Sequence, residues 1–311
     1  MSEKAIIAYI FPGQGSQKVG MGKDLYDSVP SAKRIFDLAD DTLGFKLSKL
    51  CFEGPEEELR STINAQPALV TMSLACYEAA IGTQAGTLDN PPAFVAGHSL
   101  GEYTALAIGQ ALDYPTAIYL ARERGRLMFE AGQKVPGAMA AILGLDESVV
   151  NSICQETGTW LANINCPGQL VISGAVKNIE EAIASAKSKG ALRALALQVS
   201  GAFHSPLMQP AADGLANILN TINLRKSAIP VIANTNALPV SQVADIKKEL
   251  LEQLCHSVQW QKSIECMIAG SANCFIEIGS GNVLNGLNKR INKSVKSLNI
   301  SGITDLANIK C

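Results

Sequence analysis

The pentapeptide Gly97-His98-Ser99-Leu100-Gly101 has the G-x-S-x-G spacing of a serine nucleophile. It lies between an apolar run at residues 93–96, which reads as a short buried strand, and a helical run through Ile108. A serine on a tight strand-to-helix turn exposes its hydroxyl at the carboxyl end of the strand. The helix N-terminus then lies behind it, and the flanking glycines let the backbone pack closely. The next N–H, that of Leu100, can point at an oxyanion developing on an acyl carbon. A chance Gly/Ser turn has the same five letters, so it is the strand–turn–helix setting that favours Ser99 as a nucleophile.

A serine needs a base, and the chain has three histidines, His98, His204 and His256. Neighbours on a sharp elbow point apart, which makes His98 a packing or hydrogen-bonding residue. His204 follows a predicted strand in Ser200-Gly201-Ala202-Phe203-His204-Ser205-Pro206, and strand ends of α/β sheets are where site residues gather. His256, at the end of a helical run, is the runner-up. A third acidic member is not in view. The acidic residues between Ser99 and the candidate bases fall mainly on predicted helix faces, where a solvated charge is the plainer reading. A Ser–His dyad oriented by a backbone carbonyl fits better.

The surrounding elements alternate. A strand-like run at residues 5–11 leads into the turn Pro12-Gly13-Gln14-Gly15-Ser16-Gln17, and helical patterns follow at residues 31–41 and 68–81. Asp113-Tyr114-Pro115 starts a helix that carries Arg122-Glu123-Arg124 and ends before Gly132. Residues 138–144, 146–156, 160–164, 170–173, 176–188 and 192–199 read as β-α-β-β-α-β, the order of a ferredoxin-like unit. Gly132–Gly137 and Ser200-Gly201 bracket that unit as hinges. Residues 206–222 read as helical, 231–233 as a strand, 245–255 and 259–269 as helices, and 274–278 as a strand. The expected fold is an α/β-hydrolase-like large unit, residues 1–133 and 199–311, with a small ferredoxin-like subdomain inserted at 134–198.

Composition agrees with a folded enzyme-sized chain. The 311 residues are 47% apolar and 17% charged, which supplies a sizeable core. A net charge of −2 carries no electrostatic signature for nucleic acid. The apolar runs are too short and too interrupted for a membrane span. Met1-Ser2-Glu3-Lys4 lacks the pattern of a secretory signal, so a cytoplasmic location is expected. The eight cysteines are scattered without metal spacing or a disulfide framework and read as reduced thiols.

Several separate motifs in order carry a resemblance that runs nearly end to end. They are Phe11-Pro12-Gly13-Gln14-Gly15-Ser16-Gln17, Gly97-His98-Ser99-Leu100-Gly101-Glu102-Tyr103, Arg122-Glu123-Arg124-Gly125, Gly137-Ala138-Met139-Ala140-Ala141, Asn163-Ile164-Asn165-Cys166-Pro167-Gly168-Gln169, Gly201-Ala202-Phe203-His204-Ser205, Val258-Gln259-Trp260 and Glu277-Ile278-Gly279. The sequence resembles the malonyl-CoA:acyl-carrier-protein transacylases of dissociated fatty-acid synthesis. The resemblance implies Ser99 as the acylated nucleophile and His204 as its base. It also implies Gln14 and Leu100 as backbone donors to the oxyanion hole, Arg124 as the fork for the malonyl carboxylate, and the Gln259 carbonyl as the group that orients His204. It further implies malonyl-CoA (releasing coenzyme A) and acyl carrier protein as partners, no metal or redox cofactor, and a monomer.

Phe203, next to the proposed base, is expected to crowd an α-methyl branch and so to set selectivity. Lys187, Lys189 and Arg193, with Lys289, Arg290 and Lys293, are candidates for steering an acidic carrier protein. Two positions depart from the family pattern. Cys166 stands where Ser is common, and His256-Ser257 precedes Val258 where Pro is common, which frees φ at Ser257. The rival readings are a serine thioesterase or hydrolase, an acyltransferase serving polyketide synthesis, and a non-catalytic carrier-protein scaffold.

Overall fold

In the computed structural model, which describes residues 5–81, 88 and 91–308, ten strands form two sheets. Met1-Ser2-Glu3-Lys4 and Cys311 lie outside the described residues. The strands are β1 Ile7–Phe11, β2 Phe94–Gly97, β3 Gly137–Leu143, β4 Trp160–Cys166, β5 Gln169–Ala175, β6 Arg193–Ala196, β7 Val231–Ile232, β8 Pro239–Val240, β9 Cys274–Ile278 and β10 Lys296–Ile300.

The larger sheet has the order β10-β9-β1-β2-β7-β8 and is parallel except for the β7–β8 pair. Its central strands read as near-continuous apolar runs because both faces are covered. Alternate residues face opposite ways. Tyr9, Phe11, Val95 and Ile276 join one apolar cluster, while Ala8, Ile10, Ala96 and Phe275 join another on the far face.

The smaller sheet has the order β4-β5-β3-β6, antiparallel throughout, with helices Glu147–Thr157 and Val176–Ser188 and its own apolar cluster. This is the ferredoxin-like order on a β-α-β-β-α-β chain. The fold is therefore an α/β-hydrolase-like core carrying a ferredoxin-like insertion. β4 is tied to the core by Val258, whose N–H donates to Ala162 O at 2.8 Å and whose carbonyl accepts from Ile164 N–H at 2.9 Å. The Ser257 hydroxyl adds a bond to Leu161 O, so the loop that lacks the family's Pro is held by side-chain and backbone bonds instead. Cys166 is buried in the far-face cluster. Among the described residues, no helix is long and apolar enough to cross a membrane.

Five local expectations are revised. The helix that carries Arg124 runs through Gly132 to Lys134 rather than ending before Gly132, so Gly132 is helical and not part of a hinge. The helix anticipated at 68–81 begins earlier, as Thr62–Ala80, with Pro67 inside it. Pro67 has no N–H to offer the Ile63 carbonyl, and the Arg122 guanidinium takes that carbonyl at 2.9 Å. The last strand of the small sheet ends at Ala196 rather than 199; Leu197 N–H still bonds Met139 O at 2.9 Å, and residues 196–199 border a cavity. The helix expected over 206–222 is split into a 3-10 turn, Pro206–Met208, and a helix, Gln209–Leu219, since Pro210 cannot continue an α ladder from the first turn. Among the described residues six cysteines carry free thiols, but Cys274 is in a disulfide.

The elbow between β2 and helix Gly101–Ile108 has no spare room. A Cβ on Gly97 would fall 1.8 Å from the Gly101 carbonyl carbon, and one on Gly101 would fall 2.3 Å from Phe11 O. Backbone cannot yield as a side chain can. Gly97→Ala is therefore expected to cost more than the ~1–3 kcal/mol typical of overpacking. Gly286→Ala, in helix Val283–Ile291 with nothing within 4 Å of the new Cβ, should instead gain ~0.5–1 kcal/mol. Urea unfolding of both variants checks this; a Gly97→Ala protein as stable as its parent would contradict the packing described.

Candidate active site

The ends of β1 and β2 border one cavity, and the residues after β7 support the β2 end through Asn234. β1 runs into Pro12-Gly13-Gln14, β2 into Ser99, and β7 into Asn234. The cavity measures about 580 Å³ and is lined by Gln14, Ser99, Leu100, Arg124, Phe203 and His204, among others. The structure thus brings together six of the seven residues singled out in the sequence. Gln259 is the exception.

Ser99 adopts φ 51°, the left-handed region that a serine avoids unless its surroundings enforce it. Asn234 provides that enforcement. Its Oδ1 accepts from Ser99 N–H at 2.6 Å and its Nδ2 donates to Gly97 O at 2.8 Å, clamping both sides of the elbow. Asn234 is held in turn by Glu249, which accepts from the Asn234 N–H at 2.8 Å.

His204 is also left-handed, at φ 56°. Its Nδ1–H donates to the Gln253 carbonyl at 2.7 Å, which leaves Nε2 as an acceptor 2.8 Å from Ser99 Oγ. Burial pushes the imidazole down to about 3, and the nearby Arg124 charge pushes in the same direction; the Gln253 carbonyl opposes both. The ring is neutral at physiological pH with its lone pair on the serine, the form that a base requires.

The carbonyl that orients His204 belongs to Gln253, not Gln259. The Gln259 carbonyl accepts from the Ser263 N–H at 2.9 Å and the Ser263 hydroxyl at 3.1 Å as helix Trp260–Ala269 begins. It is committed to that helix start. His98 and His256 are likewise elsewhere. His98 donates from Nε2 to Asn165 Oδ1 at 2.9 Å and packs on Trp260, while the exposed His256 bonds the Glu252 carbonyl.

Arg124 lies on helix Tyr114–Lys134 and is 1% exposed. Gly125 lets this helix approach helix Thr62–Ala80 closely, since a Cβ there would meet Thr62 O at 2.6 Å. The guanidinium donates to Gln66 Oε1 at 2.7 Å, Gln253 Oε1 at 2.9 Å and Ser99 Oγ at 3.1 Å. All three acceptors are neutral, and among the described residues Arg124 makes no ion pair. Burial, and then Glu249, push the buried Glu102 carboxyl well above the usual range, against the opposing pull of Gln253 and Arg124. Burial lowers the Arg124 pKa too, yet guanidinium keeps its proton. Arg122 points away, to Ile63, Asn64 and the Phe45 ring.

Gln14 and Leu100 flank the cavity, and among the described residues neither backbone N–H has an acceptor. The Gln14 side chain accepts from Thr62 Oγ1 at 2.8 Å. Phe203 is 5% exposed and borders the cavity. Among the described residues no group of three or more His, Cys, Asp or Glu could hold a metal.

The residue that sequence reasoning missed is Gln253. Its carbonyl holds His204, its Oε1 holds Arg124, and its Nε2 donates to Ser99 O at 3.0 Å and to Glu102. A polar side chain inside the apolar pattern of helix Val243–Cys255 was the available signal. Asn234, directly after a strand, offered a second.

A nucleophilic hydroxyl on a strand–helix elbow, a neutral imidazole against it and free N–H groups beside it define the class: an α/β protein equipped for acyl transfer through serine. The model of the acyl transferase domain family matches residues 8–305, and the chain belongs to that family. It is 49% identical over 300 residues to the malonyl CoA-acyl carrier protein transacylase of Bacillus subtilis (strain 168), covering 95% of this chain and 93% of that one. The solved acyl-carrier-protein S-malonyltransferase of Bartonella henselae superposes with a TM-score of 0.92 at 42% identity over 97% of each chain. A malonyl-transacylase solved with its type II PKS acyl-carrier protein superposes at 0.91 with 38% identity over 97% of each chain.

The corrected orienting group is open to test. Removing the Gln253 side chain frees Arg124 and the elbow carbonyl together and loosens the helix end that carries the His204 acceptor. Gln253→Ala should therefore lower kcat for acyl transfer by about a hundredfold, whereas Gln259→Ala should stay within about threefold of the parent. Steady-state rates on the two purified variants measure this, and the reverse ranking would restore Gln259.

Proposed function

We propose that this chain moves a malonyl group from malonyl-CoA to the phosphopantetheine thiol of acyl carrier protein through a malonyl-serine ester. The observation that carries the reading is Arg124, a buried guanidinium on the cavity wall with neutral partners only. Malonyl differs from acetyl by one carboxylate, and a planar fork is the group suited to that charge. The names of the relatives support the same substrate and acceptor.

In this reading Ser99 Oγ attacks the thioester carbonyl while His204 Nε2 takes its proton. The oxyanion lies on the N–H groups of Gln14 and Leu100. His204 then returns the proton as coenzyme A leaves as a thiol. The carrier-protein thiol reverses the sequence and frees Ser99. Phe203 crowds an α-methyl branch, with an effect of about 1–3 kcal/mol on discrimination. The steps use side chains and backbone N–H groups and call for no metal or redox group. A cytoplasmic place fits substrates of this kind. The relative solved with a type II PKS carrier keeps polyketide supply as the second reading of the pathway.

Incubation with malonyl-CoA, with and without holo carrier protein, tests the proposal. Intact-protein mass spectrometry should show a malonyl adduct on the enzyme alone and malonyl-carrier protein when the carrier is added. Ser99→Ala should give neither. Free malonate released at the same rate with or without the carrier would identify a hydrolase instead, and an adduct on the Ser99→Ala protein would move the nucleophile elsewhere.

A further inference from the structure

We propose that Arg124 restrains Ser99 in the empty site and that the carboxylate of the acyl group lifts the restraint, so that recognition acts on the rate of acylation as well as on binding. The inference rests on the reading of Arg124 as the carboxylate's partner. Its geometry is a chain of three groups. Arg124 Nη2 donates to Ser99 Oγ at 3.1 Å, and the same hydroxyl lies 2.8 Å from His204 Nε2.

With its O–H donating to His204 Nε2 and one lone pair taken by Arg124, the hydroxyl oxygen has a single free lone pair. A cationic donor on that oxygen also draws off the electron density that attack needs. The second effect falls on the base. Deprotonating Ser99 makes an imidazolium beside an uncancelled guanidinium. The charged or polar groups that bear on His204 are Arg124 and His98, which oppose its protonation, and the backbone at Gln253 and His256, which favours it. Glu102 bonds the Gln253 side chain rather than Arg124, and burial pushes its carboxyl well above the usual range.

A bound carboxylate changes both effects. It takes the Nη2 donor, returns the lone pair to Ser99 and cancels the charge facing His204. The step then proceeds with atoms in balance. Ser99 Oγ bonds to the thioester carbonyl carbon, and its proton passes to His204 Nε2. The tetrahedral oxyanion collapses, the C–S bond breaks, and the departing coenzyme A sulfur takes the proton from His204. An acetyl thioester brings no carboxylate and meets the restrained hydroxyl.

A carboxylate supplied as a separate molecule distinguishes restraint from simple binding, because formate and acetyl together fill the space of malonyl. Parent protein is mixed with acetyl-CoA in single-turnover reactions, with sodium formate titrated against sodium chloride at constant ionic strength. Acetylation of Ser99 is followed by intact mass. The expected result is a saturable rise of about fivefold or more in the acetylation rate, as befits removal of one close charge, together with competitive slowing of malonylation over the same formate range. Arg124→Ala should show no formate response. Formate that slows malonylation but leaves acetylation unchanged would overturn the restraint and leave Arg124 as a binding group. Formate that affects neither reaction would overturn the carboxylate reading of Arg124 and the restraint with it.

Discussion

A guanidinium with 1% exposure and no ion-pair partner among the described residues is the constraint on which the site depends. Removing a cation from water is costly, and in most folds a paired acid offsets it. Here Gln66, Gln253 and Ser99 each accept one hydrogen bond, which satisfies donors without cancelling charge. Arg124 Nε has no partner among the described residues. Glu102 bonds Gln253 rather than Arg124, and burial and Glu249 push its carboxyl well above the usual range. The charge therefore remains available to a ligand that carries the missing carboxylate into the cavity.

The rest of the site follows from keeping that charge, the nucleophile and the base in fixed relation. Ser99 and His204 both sit in the left-handed region, and both need support from outside their own segments. Asn234 clamps the elbow from β7, and Glu249 fixes Asn234. Gln253 touches the base, the elbow and Arg124 at once, so one helix end sets three positions. The glycines on either side of Ser99 let β1 and β2 approach the helix that follows without displacing the serine. The depressed basicity of His204 follows first from its burial and then from the Arg124 charge.

Much of this was legible because each group carried its own local signature. The strand–turn–helix setting of Ser99 and the helical position of Arg124 were visible in short windows, but the role of Arg124 came from the family resemblance, and the strand expected to end just before His204 stops at Ala196 in the small antiparallel sheet. The ferredoxin-like order could be read from six alternating segments. Gln253 was not legible, since it works through a backbone carbonyl and through partners far away in the chain. Gln259 misled for a related reason. The motif Val258-Gln259-Trp260 has structural duties: Val258 bridges to β4 and Trp260 packs on His98, while the Gln259 carbonyl starts a helix. The helix start around Pro67 also depended on a distant group, Arg122 reaching the Ile63 carbonyl.

The claim that an unpaired buried Arg124 selects the acyl group is tested most directly by kcat/KM for malonyl-CoA and acetyl-CoA in the parent, Arg124→Ala and Arg122→Ala proteins. Losing one partner of a desolvated charge pair costs roughly 2–5 kcal/mol. Arg124→Ala should therefore lose malonyl transfer by orders of magnitude, while acetyl transfer falls far less or rises. Arg122→Ala should keep the parent's ratio even where the lost bond to Ile63 lowers stability. An Arg124→Ala protein that retains the malonyl preference, or an Arg122→Ala protein that loses it, would contradict the account.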